Sequence, residues 1–347
     1  MIKLVTTILA SLQNSLLVVD STKDGWRVRE PLKQLNPSSL AFDFQNPERA
    51  YCGTFDNGLW KTDNNGLTWE KTLLQNTSGS NIMSLSVGHE KKGEDGYGKL
   101  FVGMEPSVIY LSIDGGNVWE KIDGFNELPS SSTWSFPPRP WTHHVRWIEP
   151  DVNNDNYIFA AIEAGALIRS VDGGKSWTDK VKDGPYDTHT LRTHKQAPQR
   201  LYSAAGDGYF ESQDYGNTWH KSVKGLGNHT YLYGVAVNSA NPQNILVSAA
   251  SNAWKSHSIH DLETFVYRRD SDEKSQGWTL SDAGLPESKG TVISILESNH
   301  KVKDEFYCLN NRGIFCSRDL GLSWTMLDIP WSKEYYLQHP WALAVRE

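Results

Sequence analysis

The stretch Ser170-Val171-Asp172-Gly173-Gly174-Lys175-Ser176-Trp177 decides the architecture, because the chain repeats its frame. Thr62 to Trp69, Ser112 to Trp119, Ser212 to Trp219 and Ser317 to Trp324 fit the same pattern, S-x-D-x-G-x-S/T-W. Asn64 takes the Asp place in the first of these, and Val118 replaces the hydroxyl residue in the second. The pattern has a local cause. A tight turn between antiparallel strands needs a residue at positive φ, which glycine supplies, and a short acidic side chain accepts hydrogen bonds from the turn's own N–H groups. The closing Trp is a large apolar plate suited to packing between sheets. Asn64, Asp114, Asp172, Asp214 and Asp319 are therefore expected to be structural.

The octapeptide resembles the Asp box, or BNR repeat, of sialidase-type and related β-propellers, and as a repeat it covers nearly the whole chain. The resemblance implies an all-β propeller with the boxes on the turn between third and fourth strands of each blade. It implies no reaction. Sialidases of this type carry an R-I-P segment near the first blade, which is absent here, and xyloglucan-cleaving relatives use two propellers where this length accommodates one. No catalytic residue is carried over from either.

The repeats run in a constant order of apolar strand, second strand, polar corner, third strand, box and fourth strand. Counting their terminal Trp residues gives Trp26, Trp69, Trp119, Trp177, Trp219, Trp278 and Trp324, hence seven blades, with six or eight as the neighbouring solutions. The first repeat lacks an opening strand, and Trp341 to Val345 resembles one without a continuation. The expectation is a single propeller over residues 1–347, closed by the C-terminal strand joining the N-terminal blade. Its blades run roughly over 1–35 with 338–347, 38–75, 80–125, 141–182, 187–225, 230–285 and 290–330. Ser256 to Gly277 replaces the box of the sixth repeat with a charged hairpin that includes Arg268, Arg269, Asp270, Asp272 and Glu273. No capped helix is expected.

A net charge of −7 argues against a nucleic-acid or anionic-membrane partner, both of which need a positive field. Cys52, Cys308 and Cys316 lie in apolar runs and are expected to be reduced and buried. Met1 to Leu12 reads better as part of a strand pair than as a signal peptide, which favours the cytoplasm over a secreted or periplasmic location.

Propeller geometry selects the candidate site. Connections from second to third strand, and from one blade to the next, share the face opposite the boxes. The corners supply Asp56, Glu105, Glu163, Asp207 and Arg312, with Asn252 and Asn310 at the corresponding places of blades six and seven. The entries supply Arg139, Trp141, His143, Asp187, His189, His229, Tyr231 and Trp341, with His339 beside the last. The densest part spans blades four and five. There Glu163, His143, His189 and Asp207 are the catalytic candidates, because paired carboxylates beside imidazoles can divide acid and base roles. His143 and His144 are consecutive, so only one can face the channel, and His143 is the expected one. His143, His189 and His229 are also a candidate set for a divalent metal. The others are candidate contacts to a small or carbohydrate-like ligand. Two readings follow: a hydrolase or lyase working in the funnel, and a non-catalytic binding or assembly scaffold like the photosystem assembly factors that share such boxes.

Overall fold

A computed structural model describes residues 5–72, 81–90, 96–269 and 277–347. The chain forms a seven-bladed β-propeller. Six sheets have four strands, and the sheet of blade four has three, Val145–Asp151, Asn154–Ile162 and Ala166–Ser170. Its fourth strand is reduced to a bridge between Arg169 and Thr178. Asp270, Asp272 and Glu273 of the charged hairpin lie outside the described residues, while Arg268 and Arg269 belong to the third strand of blade six, Phe265–Arg269. Among the described residues no helix is long and apolar enough to cross a membrane.

Ring closure takes the expected form. Pro340–Arg346 is the innermost strand of blade one and pairs antiparallel with Thr7–Leu12, Ile8 opposite Val345 and Ala10 opposite Leu343. Neither edge of the N-terminal hairpin is left open on the inside.

The five box turns are built alike. The first-position hydroxyl accepts from the fifth-position glycine N–H, as in Ser170 Oγ from Gly174 at 2.8 Å, and that glycine has φ of 92°. The carboxylate accepts from the seventh-position N–H, 2.9 Å for Asp172 from Ser176. Asn64 makes the same bond to Thr68 N–H through its amide oxygen, and Asp114 keeps it although Val118 has no hydroxyl. The Ser176 hydroxyl, followed by its N–H, holds the Asp172 carboxyl down to about 2.

Each Trp that ends a repeat packs into the seam with the preceding blade. Trp69 meets Leu16 and Val18 of blade one, Trp177 meets Ile122 and Phe125, and Trp324 meets Leu246 and Val266 of blade six. Trp26 closes the ring by packing with Tyr307 and Ile314 of blade seven. The core is thus spread over the seven inter-blade seams, with two clusters in the seam between blades six and seven. The three cysteines are buried and free, as expected.

One expectation fails. Ala253–His257 forms a short helix in the second-to-third connection of blade six, capped by Asn252, whose side chain accepts from Lys255 N–H at 2.9 Å.

Because Leu343 is 5% exposed and packs in the seam between blades one and seven, Leu343→Ala should cost about 2–5 kcal/mol. A lower urea midpoint at unchanged slope is the expected result.

Candidate functional site

The inner strands of the blades enclose a central channel of about 340 Å³, lined by Arg146, Thr190 and Trp341 among others. Glu163, Asp187 and His189 do not line it but lie beyond it at the entry face, where Glu163 follows the second strand of blade four and Asp187 and His189 open the inner strand of blade five. His189 is fully buried. Its Nδ1 donates to the Leu232 carbonyl of blade six at 2.7 Å, which turns Nε2 toward Asp187 Oδ2 at 3.6 Å and Glu163 Oε1 at 3.9 Å. Glu163 Oε2 accepts from His144 Nε2 at 2.8 Å, with Arg146 Nε at 3.5 Å. Asp187 Oδ1 accepts from Ala164 N–H at 2.8 Å.

Electrostatics separates the two carboxylates. Burial alone would raise both. The His144 hydrogen bond, with the charges of His144, His189 and Arg146, overrides burial and holds Glu163 well below the usual carboxylate range. For Asp187 burial prevails despite His189, helped by the charge of Glu163, and its carboxyl is pushed up.

A hydrogen-bonded chain leads away from this cluster. Tyr231 Oη lies 3.0 Å from His257 Nε2, and His257 Nδ1 lies 2.6 Å from His339 Nε2. His339 Nδ1 donates to the Pro340 carbonyl at 2.6 Å. Tyr233 accepts from Arg146 at 2.8 Å and completes the wall. His144, Arg146, Tyr233 and His257 belong to the site without having been candidates from the sequence, and His339, placed at this mouth by the sequence as an entry residue, joins them.

Several expected residues are occupied elsewhere. His144, not His143, turns inward; His143 bonds Ser107 Oγ at 2.8 Å and meets the edge of Trp134. His229 stacks on Phe265 at 4.0 Å and bonds the Tyr267 hydroxyl. The set His143, His189 and His229 therefore does not converge. Among the described residues the group with metal-ligand spacing is Glu163, Asp187 and His189, with ligand atoms within 4.8 Å of one another. Asp207 accepts from the N–H groups of Tyr186 and Asp187 at 3.3 and 3.2 Å, so it shapes the entry of blade five from behind. Arg139 is bound bidentately by Glu105 at 2.9 and 2.6 Å, which spends the charge expected for an anion. Arg312 donates to the Gly290 carbonyl, and Asp56 accepts from the Asn36 amide. Trp341 lies against His339 at 4.4 Å, whereas Trp141 is 80% exposed on the rim.

The far mouth carries Phe44 stacked on His89 at 4.0 Å, with His300 at its edge. Burial, with the His300 and Lys195 charges, lowers His89 to about 4. A histidine kept neutral by the fold stabilises it fully above its unfolded value of 6.5 and loses that contribution as pH falls toward 4. The thermal midpoint should decline over this interval, and His89→Gln should flatten the decline; an unchanged slope would contradict the assignment.

Gly206 explains a local choice of residue. A Cβ there would collide with Asp187 Oδ2. Gly206→Ala should displace that oxygen while leaving the fold intact, which the Asp187 carboxyl signal in 13C NMR would report as a shift of its titration.

No family model matches the chain. The xyloglucanase Xgh74A of Acetivibrio thermocellus is 25% identical over 257 residues, which is 62% of this chain and 30% of that protein. The photosystem II assembly lipoprotein Ycf48 of Synechococcus sp. strain CC9902 is 21% identical over 192 residues, 55% of this chain and 51% of that protein. The chain therefore spans 30% to 51% of the length of these curated relatives. Among solved structures, an ancestral GH74 enzyme superposes with a TM-score of 0.61 at 17% identity, covering 81% of this chain and 37% of that one. Ycf48 bound to D1 peptide gives 0.56 at 17% identity, covering 86% and 83%. Ycf48 from Cyanidioschyzon merolae gives 0.58 at 12% identity, covering 86% of each chain. The chain is a β-propeller, and its relatives include both a carbohydrate hydrolase and an assembly protein.

Proposed function

We propose that the funnel binds a carbohydrate-like ligand and carries out hydrolase or lyase chemistry on it at the Glu163, Asp187 and His189 floor. One observation carries this reading. Exposed aromatic rings, Trp141, Tyr186 and Trp254, stand on the connections of blades four, five and six, whose connections also carry the buried polar cluster. Flat apolar plates on the same connections as a few convergent polar groups suit a ligand with both apolar ring faces and hydroxyls. The xyloglucanase relative acts on a substrate of that class. The five turns are read as Asp boxes of the BNR type, and the buried free thiols support a reducing compartment, the cytoplasm.

A second reading has its own support. The curated relatives include the assembly protein Ycf48, 21% identical over 55% of this chain, and the fold serves both roles, so a non-catalytic assembly scaffold is the alternative.

The two are separated by titrating the protein with an oligosaccharide panel, xyloglucan fragments included, by calorimetry. The hydrolase reading expects Trp141→Ala to weaken binding about tenfold, and Glu163→Gln to abolish turnover while binding stays within a few-fold. Failure of every saccharide to bind, with capture of a peptide that Glu163→Gln leaves unaffected, overturns it in favour of the scaffold.

A further inference from the structure

The three floor residues share an arrangement that acid–base chemistry alone does not require. Each is fixed by one polar atom and presents the other to a common point. Glu163 is held through Oε2 by His144 and Arg146, leaving Oε1. Asp187 is held through Oδ1 by the Ala164 N–H, leaving Oδ2. His189 is held through Nδ1 by the Leu232 carbonyl, leaving Nε2. Backbone or side-chain bonds that orient ligands from behind are characteristic of metal centres.

The protons around the cluster are already committed. The Pro340 carbonyl takes the His339 Nδ1 proton, so His339 Nε2 accepts from His257 Nδ1. His257 Nε2 then accepts from Tyr231 at 3.0 Å, a shorter contact than the 3.4 Å between Tyr231 and His189. Tyr231 therefore does not donate to His189 Nε2, which lies fully buried and faces two carboxylate oxygens. A positive centre, either a proton on Nε2 or a cation in its place, reconciles three groups pointed at one another.

We infer that Glu163 Oε1, Asp187 Oδ2 and His189 Nε2 bind one divalent first-row transition cation, such as Mn2+ or Zn2+. Bonds of about 2.1 Å at tetrahedral angles space ligand atoms by about 3.4 Å, close to the 3.6 and 3.9 Å separations from His189. One imidazole with two carboxylates is a donor set that these cations accept. Arg146 opposes a cation, yet its terminal nitrogen is directed to Tyr233. Locally the four carboxylates of Glu105, Glu163, Asp187 and Asp207 face Arg139, Arg146 and the His144 imidazole. The Glu163 and Asp187 side chains keep 17% and 23% of their surface exposed, so the open coordination positions lie on their side. The inference rests on reading this floor as the reacting end of the funnel, where such a cation would polarise a ligand oxygen or a water.

The test is a titration of the full chain, stripped with EDTA and dialysed, with MnCl2, following free Mn2+ by electron paramagnetic resonance. One site per chain is expected. His189→Ala and the near-isosteric Asp187→Asn should each weaken binding at least about 100-fold, with thermal melts confirming folding. His143→Ala and His229→Ala should leave it unchanged. Absence of saturable binding up to about 1 mM, or equal binding by both floor variants, overturns the inference. Saccharide titration of the stripped protein separates the claims: sugar binding without Mn2+ binding removes the cation alone, and Mn2+ binding without any sugar removes the carbohydrate reading alone.

Discussion

One tryptophan at each seam is the constraint on which the rest depends. A four-stranded sheet standing alone exposes apolar surface on both faces, and it becomes stable only when a neighbour covers each. The chain meets this by ending every repeat with an indole that reaches back into the layer before it, from Trp69 against Leu16 and Val18 round to Trp26 against Tyr307. The box turn is the fixture that aims the plate. Its hydroxyl, carboxylate and positive-φ glycine bond one another and the turn's own backbone, so the angle of the following strand does not depend on what the blade's other end does. That independence frees the opposite face for variation, and the cluster of histidines and carboxylates is found there.

The repeat made the architecture readable because its signal is local: eight residues specify a turn, and five copies specify a ring. Ring closure was readable for a related reason, since an opening strand was missing at one end and present in surplus at the other. The helix at Ala253–His257 escaped because a single five-residue turn has no periodicity to detect, and its cap, Asn252, had been assigned to the corner itself.

The site was legible in position but not in orientation. Glu163, Asp187, His189 and Tyr231 fall together because the ring brings blades four to six side by side. The choice between His143 and His144 turned on where the inner strand of blade four begins, and one residue of uncertainty reverses which side faces the axis. Arg146 and Tyr233 were missed because they lie within inner strands, beyond the entry corners where polar residues were sought. His257 and His339 come from blades six and one, and their contact across the mouth has no counterpart in the sequence. Arg139 and Asp207 were found in the right region, but only coordinates reveal that Glu105 and the Tyr186–Asp187 backbone already occupy them.

Pairing residues 7–12 with 340–346 also sets a timetable for the molecule. The strand at residues 7–12 waits, half covered, until its inner neighbour at residues 340–346 arrives, and contacts of such separation form late. Trp341 lies on that closing strand and His339 immediately before it. The funnel therefore gains its final wall in the same event that locks the circle, so a ring still open has no complete mouth to act with.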